Sequence, residues 1–555
     1  MPHEKMPDTK MLGRMMSMPL TIQSLIDHAA RYHHETEIFS VETDGARTRT
    51  NWRNVAARAR RLNDALRRHG LAKGDRCATI AWNNARHLEC YFGISGAGMI
   101  CHTLNPRLFP EQLAYIINHA RDRIIFCDRT FLPVIAGLRD KLPGVEAFVL
   151  LSGADEEMTQ TLPGLIFYED FIASGAADAP WAEVAEGDGS SLCYTSGTTG
   201  NPKGVLYTHR STVLHSLIAA TPDVLNLSAR DRVLPVVPMF HVNAWGVPYS
   251  AALAGASLVL PGPFLDGPSL ARLIETEAVN VALGVPTIWQ GLLRALEATG
   301  AGTTPLKRTV VGGAPCPPAL IAAFRDKYGV EVVHAWGMTE TSPLGTVNSL
   351  LRRHGDLLET EQARLRQSQG RPPYGVELEI VDDHGHPLPE DGNAQGNLRV
   401  RGHWVVADYF RAGPGETLAG DGWFDTGDIA SISADGFMTI RDRAKDIIKS
   451  GGEWISTVEL EGIALGHPDI DDAAAIAARH PKWDERPVLL VVPRPGATLT
   501  EAAVLAYFTD KVAKWQLPDK VIFVSALPRN NSGKLIKTAL RQEYGDVLLR
   551  GPAQA

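Results

Sequence analysis

The 555-residue chain has little of what would mark a secreted mini-domain, a nucleic-acid binder or a membrane protein. Its six cysteines (Cys77, Cys90, Cys101, Cys127, Cys193 and Cys316) form no CxxC pair. That spacing argues against a disulfide framework and a zinc site, and leaves buried thiols suited to a reducing compartment such as the cytoplasm. There is no basic excess: 55 Lys and Arg face 63 Asp and Glu, for a formal charge of −8. That balance argues against a nucleic acid or an acidic membrane as the main partner and favours a small-molecule role. The first eighteen residues hold six methionines with Glu4 and Asp8 among them. They lack the apolar run of a signal or transit peptide, and Met11 is an alternative start. The stretch Val233–Leu265 has no Asp, Glu, Lys or Arg, but five prolines and His241 interrupt it. Repeated helix breaks would strand backbone polar groups in lipid, so buried strands and loops are expected instead of a transmembrane segment. Internal repeats and low-complexity tracts are absent as well.

What is present is a globular composition, 44% apolar and 21% charged, in a chain too long for a single core. Trp52, Val55, Ala56, Ala59, Leu62, Ala65 and Leu66 recur at helical spacing, and "RCATIAW" (Arg76 to Trp82) follows as a short buried strand. Helical runs near 85–98, 110–120 and 131–141 alternate with the strands "RIIFCD" and "EAFVLL". A second series over 210–328 contains "NVALGV" and "RTVVGG", strands that end in glycine turns. Such alternation predicts doubly wound parallel sheets with helices on both faces, and ligands at the strand ends. From Gly375 the pattern changes to alternating strands joined by Gly, Pro and Asp, an antiparallel or barrel-like section. A tail of about 110 residues reads as a separate α+β domain, with a helix striped by Val504, Leu505, Phe508, Val512 and Trp515.

The stretch "YTSGTTGNPKGV" (Tyr194 to Val205) concentrates chemistry. Gly197, Gly200 and Gly204 permit positive φ and close backbone approach, while Thr195, Ser196, Thr198, Thr199 and Lys203 supply donors that could wrap a polyphosphate. No GK[ST] closes a G-x-x-x-x-G, so this is not the P-loop pattern; a Gly/Ser/Thr linker is the plainer alternative. Four further motifs follow in order: "HAWGMTET" (His334 to Thr341), "GWFDTGDIA" (Gly422 to Ala430), "RDRAKDIIKSGGE" (Arg441 to Glu453) and "PRNNSGKLIK" (Pro528 to Lys537). Together the five resemble the core motifs of the adenylate-forming superfamily of acyl-CoA synthetases, luciferases and peptide-synthetase adenylation domains. The resemblance runs from about Pro19 to Arg541. It implies an α/β multidomain chain: a large N-terminal domain over 1–444, with doubly wound sheets and the barrel-like section, and a small mobile α+β domain over 445–555.

The same resemblance implies residue roles. Thr195 and Glu340 correspond to ligands of Mg²⁺ at the ATP phosphates, although a lone Glu340 would read as a surface-helix carboxylate. Thr339 would bond phosphate or the reacting carboxylate; His334, Ala335, Gly337 and Met338 would line the ATP/AMP site, and Trp336 stands where an aromatic ring meets adenine. Gly313, Ala314 and Pro315 would approach adenine through their backbone. Asp428 matches the carboxylate that accepts the ribose hydroxyls, with Ile440 and Arg443 beside it. Lys534 matches the lysine that bridges the substrate carboxylate and the α-phosphate. Lys445 falls at the hinge about which the small domain swings, bringing Lys449, Ser450, Gly451, Gly452, Glu453 and Trp454 to a CoA channel.

For the acid, the segment "FHVNAWG" (Phe240 to Gly246) carries no carboxylate to pair an α-amine, so an amino acid is disfavoured. No carrier-protein segment follows Arg541, which makes CoA the expected acceptor. The acyl pocket should draw on His241, Val242, Trp245, Gly246 and, within "GVPTIW", Gly284, Pro286 and Thr287. These details are similar to bacterial fatty-acyl-CoA synthetases that include 3-methylmercaptopropionate-CoA ligases. The expectation is an AMP-forming acid:CoA ligase for a short or medium acid, with that thioether acid in the lead. A medium-chain fatty acid and a luciferase-like oxidative second step are the alternatives, and related ligases are often homodimers.

Overall fold

The computed structural model describes residues 15–153, 155–195, 201–413, 415, 417–450, 453–529 and 535–549, with the side chain of Glu156 left out. The helical periodicity in the N-terminal region materialises as Trp52–Arg68, capped by the Asn51 side chain, which accepts from the Asn54 amide at 3.0 Å. The stripe from Trp52 to Leu66 is buried against Ala85–Gly96. Gly93 makes this close crossing feasible: a Cβ there would lie 2.9 Å from the Ala59 carbonyl oxygen and 2.8 Å from Leu62 Cδ2.

Two large sheets form the N-terminal region. The first has seven strands, in the order Ile166–Phe167, Ala147–Leu150, Asp122–Cys127, Arg76–Ile80, Ile100–Thr103, Gly189–Tyr194, Gly204–Thr208. All neighbours are parallel except the last pair. The second has eight, in the order Leu344–Val347, Glu331–Gly337, Arg308–Val311, Val281–Gly284, Arg232–Pro235, Ser257–Leu260, Glu37–Val41, Arg47–Asn51, with antiparallel pairs only at its two edges. One core cluster takes residues from both sheets, among them Cys77, Cys101, Leu258 and Val281, with helices packed between. Two further clusters cover the outer faces, so the central strands are buried on both sides, as parallel strands require. All six cysteines are buried and free. The uncharged stretch 233–265 is spread over short strands, a turn and the helix Val247–Ala254. Among the described residues no helix is long and apolar enough to cross a membrane.

The barrel-like section is a four-stranded antiparallel sheet, Val376–Val381, Gly396–Gly402, Phe424–Ile432 and Met438–Arg443. Beyond it, Ile448–Ser450, Glu453–Ile455, Ile470–His480, Asp484–Pro493 and Lys520–Phe523 form a sheet with separate core clusters on its two faces. The helix expected to run through Trp515 ends at Phe508. Asp510 takes a left-handed φ of 63°, which turns the chain, and Trp515 falls in a one-turn 3₁₀ segment with its ring half-exposed.

The junction between the four-stranded sheet and the C-terminal sheet is held by carboxylates. Buried Asp442 accepts from both the amide and the hydroxyl of Thr457 at 2.6 Å, at the start of the helix Thr457–Leu465. Burial raises the Asp442 carboxyl, and the Lys537 ammonium opposes that rise. Asp446 pairs with Arg541 at 2.6 Å, and Lys445, the residue before it, is exposed.

Candidate active site

The hydroxyl- and glycine-rich loop grows from a two-stranded stem. Gly189–Tyr194 and Gly204–Thr208 pair antiparallel with Tyr194 opposite Gly204. The Thr195 amide donates to the Lys203 carbonyl at 2.9 Å, and the Lys203 amide reaches the Thr195 hydroxyl at 3.3 Å. Two contacts pin this stem from outside, and a third ties their partners together. The Tyr194 hydroxyl meets His119 Nδ1 at 2.6 Å, Arg411 donates to the His119 carbonyl at 2.6 Å, and the Phe410 amide donates to the Gly204 carbonyl at 2.7 Å. Gly204 keeps this approach close, since a Cβ would press to 3.1 Å on both Tyr194 Cζ and Phe410 Cβ and push them back by a few tenths of an ångström. Of the expected phosphate ligands, Ser196, Gly197, Thr198, Thr199 and Gly200 lie outside the described residues, as do Lys534 and the channel residues Gly451 and Gly452.

Thr339 and Glu340 are buried and brought to this stem. Tyr207, on the second stem strand, donates its hydroxyl to the Thr339 carbonyl at 2.6 Å. Glu340 is fixed twice: its carbonyl accepts from the Val406 amide at 2.8 Å and its Oε1 accepts from the Tyr409 hydroxyl at 2.7 Å. The Lys203 ammonium sits 4.7 Å from the centre of the Tyr409 ring. Burial, and then the Glu340 charge, push the Tyr409 phenol up, so it stays neutral and donates. Tyr409 thus links the loop lysine to the motif glutamate. Sequence reasoning missed it, because "ADYF" lies in an irregular segment with no periodicity to single it out.

A second cluster forms at the other end of the same segment. Asp428 is buried; Trp336 Nε1 donates to its Oδ2 at 3.0 Å and Arg443 Nε lies 2.9 Å from its Oδ1. The Trp336 ring packs against the small core cluster of the four-stranded sheet and close over Gly345, so packing and a polar tether act together on it. Ile440 is positioned through its amide, which donates to Gln369 Oε1 at 2.7 Å. His334 differs from its neighbours: its ring is buried, Nδ1 faces the Gln367 carbonyl at 3.2 Å, and burial lowers its pKa to about 4. That ring is a neutral, buried part of the core. Ala335 and Met338 are partly buried, and Gly337 lets the chain fold back on Pro343, whose carbonyl oxygen would be 1.7 Å from a Cβ.

The residues expected at the acyl pocket divide. Trp245 stands against the glycine turn after Arg308–Val311: a Cβ on Gly312 would be 3.2 Å from Trp245 Cη2, and one on Gly313 3.8 Å from Cζ2. Val242 is buried, His241 is half-buried, and Gly246 lies against His215, whose Cε1 would be 2.6 Å from a Cβ. Ala314 and Pro315 are exposed at the end of that turn. By contrast Trp289 of "GVPTIW" is a core residue, its indole donating to the Gly284 carbonyl at 3.1 Å, while Pro286 is buried at the helix start and Thr287 is exposed. In the segment expected to line a CoA channel, Glu453 and Trp454 border a cavity of about 390 Å³ with Gln395, Trp515 and Gln516. The Lys449 ammonium sits 6.0 Å from the Trp454 ring centre, and the Ser450 hydroxyl accepts from Arg486 at 3.3 Å.

Comparison with known families decides what this arrangement belongs to. Residues 26–410 match the model of the AMP-binding enzyme, and 459–534 match that of the AMP-binding enzyme C-terminal domain. The chain belongs to the AMP-binding enzyme family. Within that family it is 62% identical over 540 residues to a medium-chain-fatty-acid–CoA ligase of Ectopseudomonas oleovorans, spanning 97% of this chain and 99% of the relative. It is 60% identical over 538 residues to the 3-methylmercaptopropionyl-CoA ligase of Ruegeria lacuscaerulensis, spanning 97% of this chain and all of the relative. Among solved structures, the anthranilate CoA ligase AuaEII in complex with anthranoyl-AMP superposes with a TM-score of 0.84 at 25% identity, over 95% of this chain and 98% of that one. ATP-bound MatB from Rhodopseudomonas palustris gives 0.80 at 26% identity, over 96% and 100%. The clusters at Glu340 and Asp428 lie in the first family segment or just past it, and the Lys534 motif closes the second.

Proposed function

We propose that the chain is an AMP-forming acid:CoA ligase that activates a short or medium acyl acid. The observation that carries this reading is the junction at Tyr409, which joins Lys203 of the loop to Glu340, while Trp336, four residues before Glu340, tethers Asp428. One short segment thereby carries both a phosphate-facing end and a ribose-facing end. In the first step a carboxylate oxygen attacks the α-phosphorus of ATP, and the bond to pyrophosphate breaks. In the second the CoA sulfur, having lost its proton to solvent, attacks the acyl carbon and AMP leaves. Thr195 and Lys203 bind phosphate, Asp428 and Arg443 orient the ribose, and Gly313 to Pro315 approach adenine. Lys534 places its ammonium between the acid and the α-phosphate, where negative charge accumulates.

Glu340 and Thr195 would hold Mg²⁺, and the donor set fits a hard ion that takes most of its ligands from phosphate and water: one carboxylate and one hydroxyl, with no cluster of three or more His, Cys, Asp or Glu among the described residues. When bound, the ion neutralises charge on the triphosphate. Lys445 serves as the hinge between domains bounded near 444, a reading supported by the end of the four-stranded sheet at Arg443 and the C-terminal family segment from 459. The buried free thiols fit a reducing cytoplasm, and a homodimer is the assembly to test by solution mass.

For the acid, 3-methylmercaptopropionate leads, since a thioether is polarizable and nearly isosteric with a methylene. A medium-chain fatty acid is favoured by the relative at 62% identity. Each methylene buried is worth about 0.8 kcal/mol, so preference should form a gradient along chain length. A panel of carboxylic acids, scored for AMP, pyrophosphate and acyl-CoA, tests the proposal. Turnover of acid without pyrophosphate, or oxygen uptake with no thioester, would reject it.

A further inference from the structure

Between His241 and Val247 the backbone does something L-residues avoid. Val242, Asn243, Ala244 and Trp245 have φ of 45°, 52°, 49° and 56°, and Gly246 follows at 73°. Five consecutive residues therefore describe a left-handed turn, of which only Gly246 lacks the steric conflict between Cβ and the following carbonyl. The turn is closed by the Ala244 amide on the His241 carbonyl at 3.2 Å and the Gly246 amide on the Asn243 carbonyl at 3.0 Å. Two bonds do not offset four strained residues, so the surroundings have to hold it.

The Asn243 side chain supplies that hold. It is 3% exposed, and each of its polar atoms is occupied. Its Nδ2 donates to the Ser191 hydroxyl at 3.1 Å, and its Oδ1 accepts from the Thr103 hydroxyl at 3.4 Å and from Cys193 Sγ at 3.5 Å; the Tyr91 hydroxyl, which donates to the Met239 carbonyl, packs at 3.4 Å from the same oxygen. The backbone amides of Val242 and Asn243 also face the Cys193 sulfur, whose thiol burial pushes up to about 11. Ser191 and Cys193 lie on the strand Gly189–Tyr194, which runs directly into Thr195 of the phosphate loop. At its far end the turn delivers Trp245 against Gly312 and Gly313.

We infer that Asn243 is a positioning residue for acid selection: it locks the left-handed turn to the phosphate-loop strand and so fixes Trp245 as a wall of the acyl site. The inference rests on the proposed reading of Trp245 as part of that site. A relaxed, right-handed turn would reverse the side-chain directions of residues 242–245 and release the indole from Gly312 and Gly313, while the hydrogen bonds and ion pair that hold Glu340 and Asp428 involve none of these residues.

Asn243→Ala removes both the anchor and the tolerance of asparagine for this φ; Asn243→Gly removes only the anchor. Ala244→Gly relieves strain and keeps the anchor. With Asn243→Ala the KM for the preferred acid should rise about tenfold or more, and the preference between successive chain lengths should flatten, while the KM for ATP stays within about threefold. Asn243→Gly should show the same split in milder form, and Ala244→Gly should leave the acid preference unchanged. Equal changes in acid and ATP KM, or an intact acid ladder in both Asn243 variants, would overturn the proposal. If Asn243→Ala does not fold, Asn243→Gly carries the same comparison. Hydrogen exchange of residues 238–247 in the unliganded chain provides a reading independent of activity. Exchange there should speed about tenfold in Asn243→Ala, and unchanged protection would refute the anchor. A wild-type chain that activates no acid, with the exchange effect intact, would instead refute the ligase reading and with it the selective role, leaving the anchor standing.

Discussion

Tyr409 donates its hydroxyl to Glu340 at 2.7 Å while the Lys203 ammonium stands over the same ring. The phenol thus orients the carboxylate proposed for Mg²⁺, with the loop lysine beside the face of its ring. Tyr409→Phe keeps the ring and removes the donor. A hydrogen bond to a charged group is worth about 1.5–3 kcal/mol, so kcat/KM for Mg-ATP should fall roughly tenfold or more, with the Mg²⁺ requirement moved and the acid KM unchanged. Steady-state kinetics at varied free Mg²⁺ would show this; an effect on acid alone would contradict it.

Lys534→Ala separates the two half-reactions. Adenylate formation, followed by pyrophosphate exchange, should drop by ~100-fold or more for loss of a charge-stabilising group, whereas CoA attack on supplied acyl-adenylate should persist. Equal loss in both assays would remove the assigned role.

Trp336→Phe tests the tether on Asp428. The smaller ring can still pack against the core cluster of the four-stranded sheet, but the N–H that reaches Asp428 Oδ2 at 3.0 Å is gone. The expected outcome is a KM for ATP raised about fivefold, equivalent to ~1 kcal/mol, with kcat within about twofold. A fall in kcat at constant KM would mean that the tether acts on chemistry and not on nucleotide binding.

Stability should fall on the acid side for an identifiable reason. Burial lowers His87, His209, His215 and His334 each to about 4. These rings are neutral in the fold, while the unfolded chain takes up their protons near pH 6.5. Their contribution is therefore present above about pH 6.5 and is lost as pH falls toward 4, at about 1.4 kcal/mol per group by pH 5.5. Asp128, raised to about 7 by burial, acts in the opposite sense: its contribution grows as pH falls through 7 and offsets part of the histidine loss. Calorimetric melting between pH 7.5 and 5.5 should show a steepening decline below pH 6.5; a flat profile would refute the assignment.

Much of the fold was legible in the sequence because it is written at short range. The stripe Trp52 to Leu66 forms the helix it predicts, and buried runs such as "RIIFCD" form central strands, since periodicity and two-sided burial are local signals. The helix drawn through Trp515 failed for an equally physical reason. Val512 and Trp515 continue the stripe, but a left-handed Asp510 breaks the helix, and no residue pattern announced that turn.

The sequence by itself determined which chemistry is at hand: hydroxyls and a lysine among glycines, a glutamate after "GMT", an aspartate in "DTGD", a lysine in "NSGK". Their residue types and order suffice for that, because the donors and acceptors are properties of side chains. Only the tertiary structure decided how these groups are held: Tyr409 reaching Glu340 over 69 residues, and Asn243 gripping Ser191 over 52. Such bonds join segments remote in the chain, and their partners are chosen by how two packed sheets bring loops together. The left-handed turn at Val242–Gly246 is the clearest case, since local preference opposes it and only contacts made after folding can hold it in place.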